Sequence, residues 1–242
     1  MQQVLVTAAL IVGALVYLRS WYGLRLSGRR LAAFMGGVFS LWAVMGSPLA
    51  ALDHRLLTAH MAQHLLLMTV AAPLILLGAP VIPGKAKSFG RSLTHPVFCW
   101  LASTITVIGW HVPALFALGM RSEGWHAIEH ACFFVAGLLF WWPVVQPWPR
   151  VGTWPRWSVP LYLFLATLPC DALSAFLTFC NRVVYPHYLF AQRPFDISAL
   201  GDQEIAGALM WVWVTFAYLA PAVAVTIQML SPQRLASHAE FV

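Results

Sequence analysis

Seven runs of mainly apolar residues, at about 3–18, 31–47, 57–78, 95–118, 124–144, 159–179 and 205–230, dominate the sequence and leave only short loops between them. An α-helix needs about 20 apolar residues to cross the hydrocarbon core of a bilayer. Inside that core every backbone N–H and C=O must be bonded within the chain. Runs of this length predict an all-α, polytopic membrane helix bundle: one domain over 1–242 with seven transmembrane helices. Composition agrees, since 9% of the residues are charged and 60% hydrophobic, whereas soluble domains carry about a quarter charged residues.

The loops set the expected orientation. Counting Lys and Arg on alternate sides gives ten on one side (Arg19, Arg25, Arg29, Arg30, Lys85, Lys87, Arg91, Arg150, Arg156, Arg234) and four on the other (Arg55, Arg121, Arg182, Arg193). The positive-inside rule then places the N-terminus outside and the C-terminus in the cytoplasm. The net charge of +6 is thereby accounted for by loop arginines and lysines, and nucleic acid is not an expected partner; membrane lipid is. Arginines follow the first apolar run and do not precede it, and no A-x-A-like cleavage site appears, so the run is read as a span and not a cleaved signal. Pro73, Pro113, Pro169 and Pro221 fall inside proposed spans and are expected to kink them. Trp100, Trp125, Trp141, Trp142, Trp148, Trp154 and Trp157 fall near span ends, as an aromatic belt would. The four cysteines, Cys99, Cys132, Cys170 and Cys180, form no CxxC pair and read as packing residues.

Against this apolar background the histidines stand out. His60 and His64 open the third span, His111 ends the fourth, and His126 and His130 open the fifth, so all five fall in the expected outer half of the membrane. His54 and His187 lie in outer loops, whereas His95 and His238 lie at the inner side. Residues four apart on a helix project from one face, and polar groups at such depth face the bundle interior or a water-filled cavity. A single buried histidine is more often an interhelical hydrogen-bonding group, but two HxxxH pairs and a fifth imidazole at one depth point to a metal site. Imidazole suits copper, zinc, iron and nickel, and thioethers favour Cu(I). Met68 is four residues from His64 and shares its face, whereas Met61 is read as pointing elsewhere. The expected metal is copper, as Cu(I), with zinc or haem the alternatives.

Other candidates are weaker. Asp202, opening the seventh span, reads as a helix cap, with metal ligation the sharper alternative. Glu129 and Asp171 read as carboxylates that bond and orient metal-bound histidines, Glu129 alternatively as an exposed interfacial residue and Asp171 as a packing contact. Gly207 reads as permitting close helix packing. "VVYPHYLF" from Val183 reads as an interfacial loop with His187 solvated. There is no GxSxG, Walker loop, HExxH or paired carboxylate, so no enzyme is expected.

The stretches "HMAQHLLLMTVAAPLILLGAP" from His60, "GWHVPALF" from Gly109, "HAIEHACFFVAGLLFWWPV" from His126 and "DQEIAGALMW" from Asp202 resemble the polytopic CtaG family of bacterial membrane proteins. The resemblance implies a multi-pass protein of the bacterial inner membrane that assists assembly of cytochrome c oxidase by supplying copper to it. His60, His64, His111, His126, His130 and Asp202 are the matching positions. An oxidase subunit and a soluble extracytoplasmic copper donor are the expected partners, alongside a possible homo-oligomer. A histidine-ligated haem redox protein and a metal transporter are the competing readings.

Overall fold

In a computed structural model of the chain, residues 2–79, 95–145, 155–194 and 196–231 are described. The expected features at Lys85, Lys87, Arg91, Trp148, Arg150, Trp154, Arg234 and His238 lie outside them. The described residues are helical with short connections. In order they are α1 (Gln2–Leu24), α2 (Gly28–Met45), a 3-10 turn (Pro48–Leu52), α3 (Leu57–Leu65), a π-helical segment (Leu66–Ala71) and α4 (Ala72–Gly78). Then come α5 (Pro96–His111), α6 (Pro113–Gly119), α7 (Glu123–Val145), α8 (Ser158–Phe179), a second 3-10 turn (Pro186–Leu189) and α9 (Ala199–Leu230).

Seven spans are not clearly present among the described residues. Five helical stretches among the described residues are long and apolar enough to cross a membrane: α1, the continuous run from α3 to α4, α7, α8 and α9. A sixth is reached only if α5 and α6 are taken together, and these meet at an 81° bend. The bend follows from Pro113. A residue before proline is driven out of the α region, and Val112 is extended at φ −64°, ψ 128°. What read as one kinked span is thus broken in two. α2 is 18 residues long and opens on Gly28, Arg29 and Arg30, which leaves it short of an apolar span.

Pro73 acts differently. The helix carrying it loosens to i→i−5 bonding before the proline, with the Ala72 N–H on the Leu67 carbonyl. In that register the Met68 carbonyl would take its bond from residue 73, and proline has no N–H to give. The Trp141 indole N–H fills the place, donating to the Met68 carbonyl at 2.9 Å. Trp141 is therefore buried and not part of an interfacial belt. Gly137, one turn earlier on α7, lets the two backbones approach: a Cβ there would stand 2.9 Å from Met68 Cα and its carbonyl oxygen.

Around this crossing α7 packs on α4, α5 and the π segment, while α9 packs along α8 and against α3. Aromatic residues fill the middle, with Phe140 stacked on Tyr162 at 5.0 Å and beside Tyr218 at 4.9 Å. Gly207 does permit the close approach of α9 to α8, because a Cβ would meet the backbone of Ser174 and Thr178. Pro169 and Pro221 lie within continuous helices. Large apolar side chains such as Ile105, Phe179 and Phe216 remain exposed on the outside of the bundle, as a surface facing lipid requires.

Candidate metal centre

The helix ends nearest the loops 46–56 and 180–198 bring the histidines together. His60 and His64 project from α3, His126 and His130 from α7, and His111 from the last turn of α5; all five are buried. Their rings form a continuous group. Centroids are 4.3 Å apart for His60 and His64, 4.2 Å for His126 and His130, 5.5 Å for His60 and His126, and 5.7 Å for His64 and His130. His111 stands further off, 6.4 Å from His64. Phe133 stacks on His64 at 3.8 Å and limits its rotation. His95 precedes α5 at its other end.

At the centre of this group is Glu129. It is three residues after His126, about 60° round the helix from it, so it shares the inward face of α7. Glu129 Oε1 lies 3.4 Å from His60 Nε2 and 3.5 Å from His64 Nε2, with all three side chains almost completely buried. Both nitrogens of His60 and of His64, and both oxygens of Glu129, lack a hydrogen-bond partner, as does Nε2 of His126 and of His130. Burying so many unbonded polar atoms costs about 1–3 kcal/mol each, a penalty that a shared ligand would remove. Two donors each about 2.0–2.1 Å from one ion at a tetrahedral angle stand about 3.3–3.4 Å apart. The His60–Glu129 and His64–Glu129 separations fit an ion placed between them. Gly119 leaves room for this carboxylate, since a Cβ there would collide with Glu129 Oε2.

Sulfur lies on the far side of His64. His111 Nδ1 is 2.7 Å from the Val107 carbonyl, which can only accept, so Nδ1 carries the ring proton. The Nε2 lone pair is left facing Met61 Sδ at 3.2 Å. Met61, expected to point away, is thus brought to the group: it is three residues before His64, on nearly the same face. Met61, His64, Met68, His111, Cys170 and Met210 line a cavity of about 20 Å³, the size of a single water or ion.

Asp202 is placed elsewhere. Its carboxylate accepts from Leu57 N–H at 2.7 Å and from Thr58 N–H at 3.1 Å, and the Thr58 hydroxyl donates to it at 2.7 Å. It caps α3, whose own cap residue, Leu56, has no side-chain acceptor. α9 is capped in turn by Ser198, which accepts from Gly201 N–H at 3.0 Å, so this helix starts at Ala199 and not near 205. Gln203 bonds Val184 N–H and the Leu177 and Arg182 carbonyls, tying the end of α8 to α9. Asp171 is half-buried on α8 with one carboxylate oxygen unpartnered; no recorded contact joins it to the histidines among the described residues.

Sequence reasoning missed Asp53 and the loop tyrosines. Asp53 is buried just before α3, with Oδ2 3.4 Å from His126 Nε2 and Oδ1 3.8 Å from His54 Nε2. Burial pushes its carboxyl above the ordinary carboxylate range, against the opposing pull of His54 and His60. Tyr188 donates to the Asp53 carbonyl at 2.6 Å and Tyr185 to the His111 carbonyl at 3.0 Å. Both rings are fully buried, so the 183–190 loop closes over the group and does not simply lie at an interface. His187 is exposed, with its ring 6.2 Å from His54. An adjacent Asp–His pair six residues before an HxxxH helix was the available signal for Asp53.

Residues 12–231 match the model of a family described as cytochrome c oxidase caa3 assembly factor (Caa3_CtaG). The chain is similar to uncharacterized proteins of Mycobacterium bovis (strain ATCC BAA-935 / AF2122/97) and Mycobacterium tuberculosis (strain CDC 1551 / Oshkosh), each 24% identical over 238 residues, and to one of Mycobacterium leprae (strain TN), 23% identical over 236 residues. Each alignment covers 86% of this chain and 36% of the relative, so the chain spans about a third of the length of these proteins. No solved structure matches.

Proposed function

Because this chain belongs to the family of cytochrome c oxidase caa3 assembly factors, we propose that it holds copper as cargo in its buried histidine group and passes it to an oxidase subunit. The observation that carries the reading is the set of unbonded donors around Glu129: His60 and His64 present four ring nitrogens and Glu129 two oxygens, buried and without hydrogen-bond partners. Unpaired polar groups at this density are retained where a ligand completes them. The neighbouring cavity supports copper, taken as Cu(I), because Met61, Met68, Met210 and Cys170 supply soft sulfur beside His64 and His111. A carboxylate and two imidazoles alone would suit zinc equally well.

The cavity beside His64, about 20 Å³, favours an ion over a haem macrocycle. Among the described residues the buried histidines gather at one end of the bundle, which favours a holding site over a transport path. With all seven apolar runs spanning, the excess of Lys and Arg in alternate loops would put the site on the extracytoplasmic face of a multi-pass protein of the bacterial inner membrane, with the N-terminus outside. A soluble copper donor on that side would load it.

The test is copper retention. The full chain, purified in detergent and loaded with Cu(I) under reductant, is washed and its copper measured beside a His60→Ala/His64→Ala variant. Loss of copper from the variant is expected, and equal copper in both would overturn the assignment.

A further inference from the structure

Beside the buried group the structure carries a second set of donors. Asp53, His54 and His126 each offer one ligand atom, all within 4.8 Å of one another. They line a cavity of about 270 Å³ together with Glu123 and His130. The three differ in exposure in a way that the buried triad does not: the His54 side chain is 44% exposed, Asp53 3% and His126 10%. His126 Nε2 is buried, lacks a hydrogen-bond partner and stands 3.4 Å from Asp53 Oδ2, the spacing of two donors on one ion.

We propose that Asp53, His54 and His126 form a second metal site, open to the aqueous phase, that takes a divalent first-row cation. The donor set is one carboxylate and two imidazoles, which suits divalent zinc, copper or cobalt. The exposed Glu123 at the cavity wall adds a negative charge that draws cations to the mouth. The site is held by contacts independent of metal. The His54 N–H donates to Asp53 Oδ1 at 2.6 Å, and Tyr188 fixes the Asp53 carbonyl. His126 also stacks towards His60 at 5.5 Å, so the outer site abuts the buried one. It does not depend on the copper reading, because it shares no ligand with His60, His64 and Glu129.

Cobalt(II) absorption in the detergent-solubilised full chain tests this, since tetrahedral cobalt is coloured where zinc is silent. Three proteins are titrated: wild type, His60→Ala/His64→Ala, and the same double variant carrying His54→Ala as well. The proposal expects two equivalents in the wild type, one in the double variant, and at least about tenfold weaker binding of that one after His54→Ala. His54 is exposed, so its loss leaves the fold intact. No binding to the double variant, or an affinity unchanged by His54→Ala, overturns the outer site. Two equivalents in both the wild type and the double variant would instead count against the buried site while leaving the outer one standing.

Discussion

Asp202 on α9 holds Thr58 at the start of α3 through its carboxylate, which takes both the Thr58 N–H and the Thr58 hydroxyl. The helix that bears His60 and His64 is therefore anchored by a residue 144 positions away. A negative charge at a helix N-terminus also complements its exposed N–H groups and dipole. Asp202 serves the histidine group by fixing where α3 starts.

Asp202→Ala is expected to lower stability by about 1–3 kcal/mol, because it leaves buried N–H groups of Leu57 and Thr58 unbonded. Thermal unfolding in detergent reads the loss. At saturating metal the variant should still bind a full complement, since no ligand is removed; a missing equivalent at saturation would show that Asp202 coordinates metal.

Gly119→Ala is expected to weaken metal binding about tenfold or more with little change in unfolding temperature. The added methyl collides with Glu129 Oε2 and shifts the carboxylate whose other oxygen, Oε1, faces His60 and His64. Outer contacts to a metal site are worth about 10–100-fold in affinity. A competition titration against a chelator measures it, and unaltered affinity would count against Glu129 as a ligand.

Trp141→Phe is expected to cost about 1–2 kcal/mol, the upper part of the range for a polar contact inside a membrane protein. It leaves the Met68 carbonyl without the donor that Pro73 cannot supply. Gly137→Ala is expected to cost about 1–3 kcal/mol at the same crossing by overpacking. Unfolding measurements on both variants check whether the π segment is held by α7; unchanged stability in both would show that it is not.

The sequence displayed the histidine group clearly because its members sit at helical spacing in apolar runs, where a polar side chain has no bland surroundings. His60, His64, His126 and His130 could be placed on two inward faces from spacing alone. Glu129 was harder to assign, since its role depends on how α7 is rotated against α3 and on the space left by Gly119. Met61 was misread because facing was judged from His60 and not from His64. Asp53 lies outside any helix, where periodicity says nothing, and its position is set by Tyr188 from a loop 135 residues away. The count of seven spans is not clearly reproduced at the two places where local chemistry competes with hydropathy: Pro113, which turns one run into two helices, and Arg29 with Arg30, which shorten the apolar length of α2.

The proposed site places one copper ion between His60, His64 and Glu129. X-ray absorption at the copper edge, on the loaded full chain and on Glu129→Gln and His60→Ala/His64→Ala variants, addresses it most directly. Imidazole scattering around copper is expected in the wild type, an altered shell in Glu129→Gln, and no retained copper in the double variant. Copper with the same imidazole shell in all three proteins would contradict it.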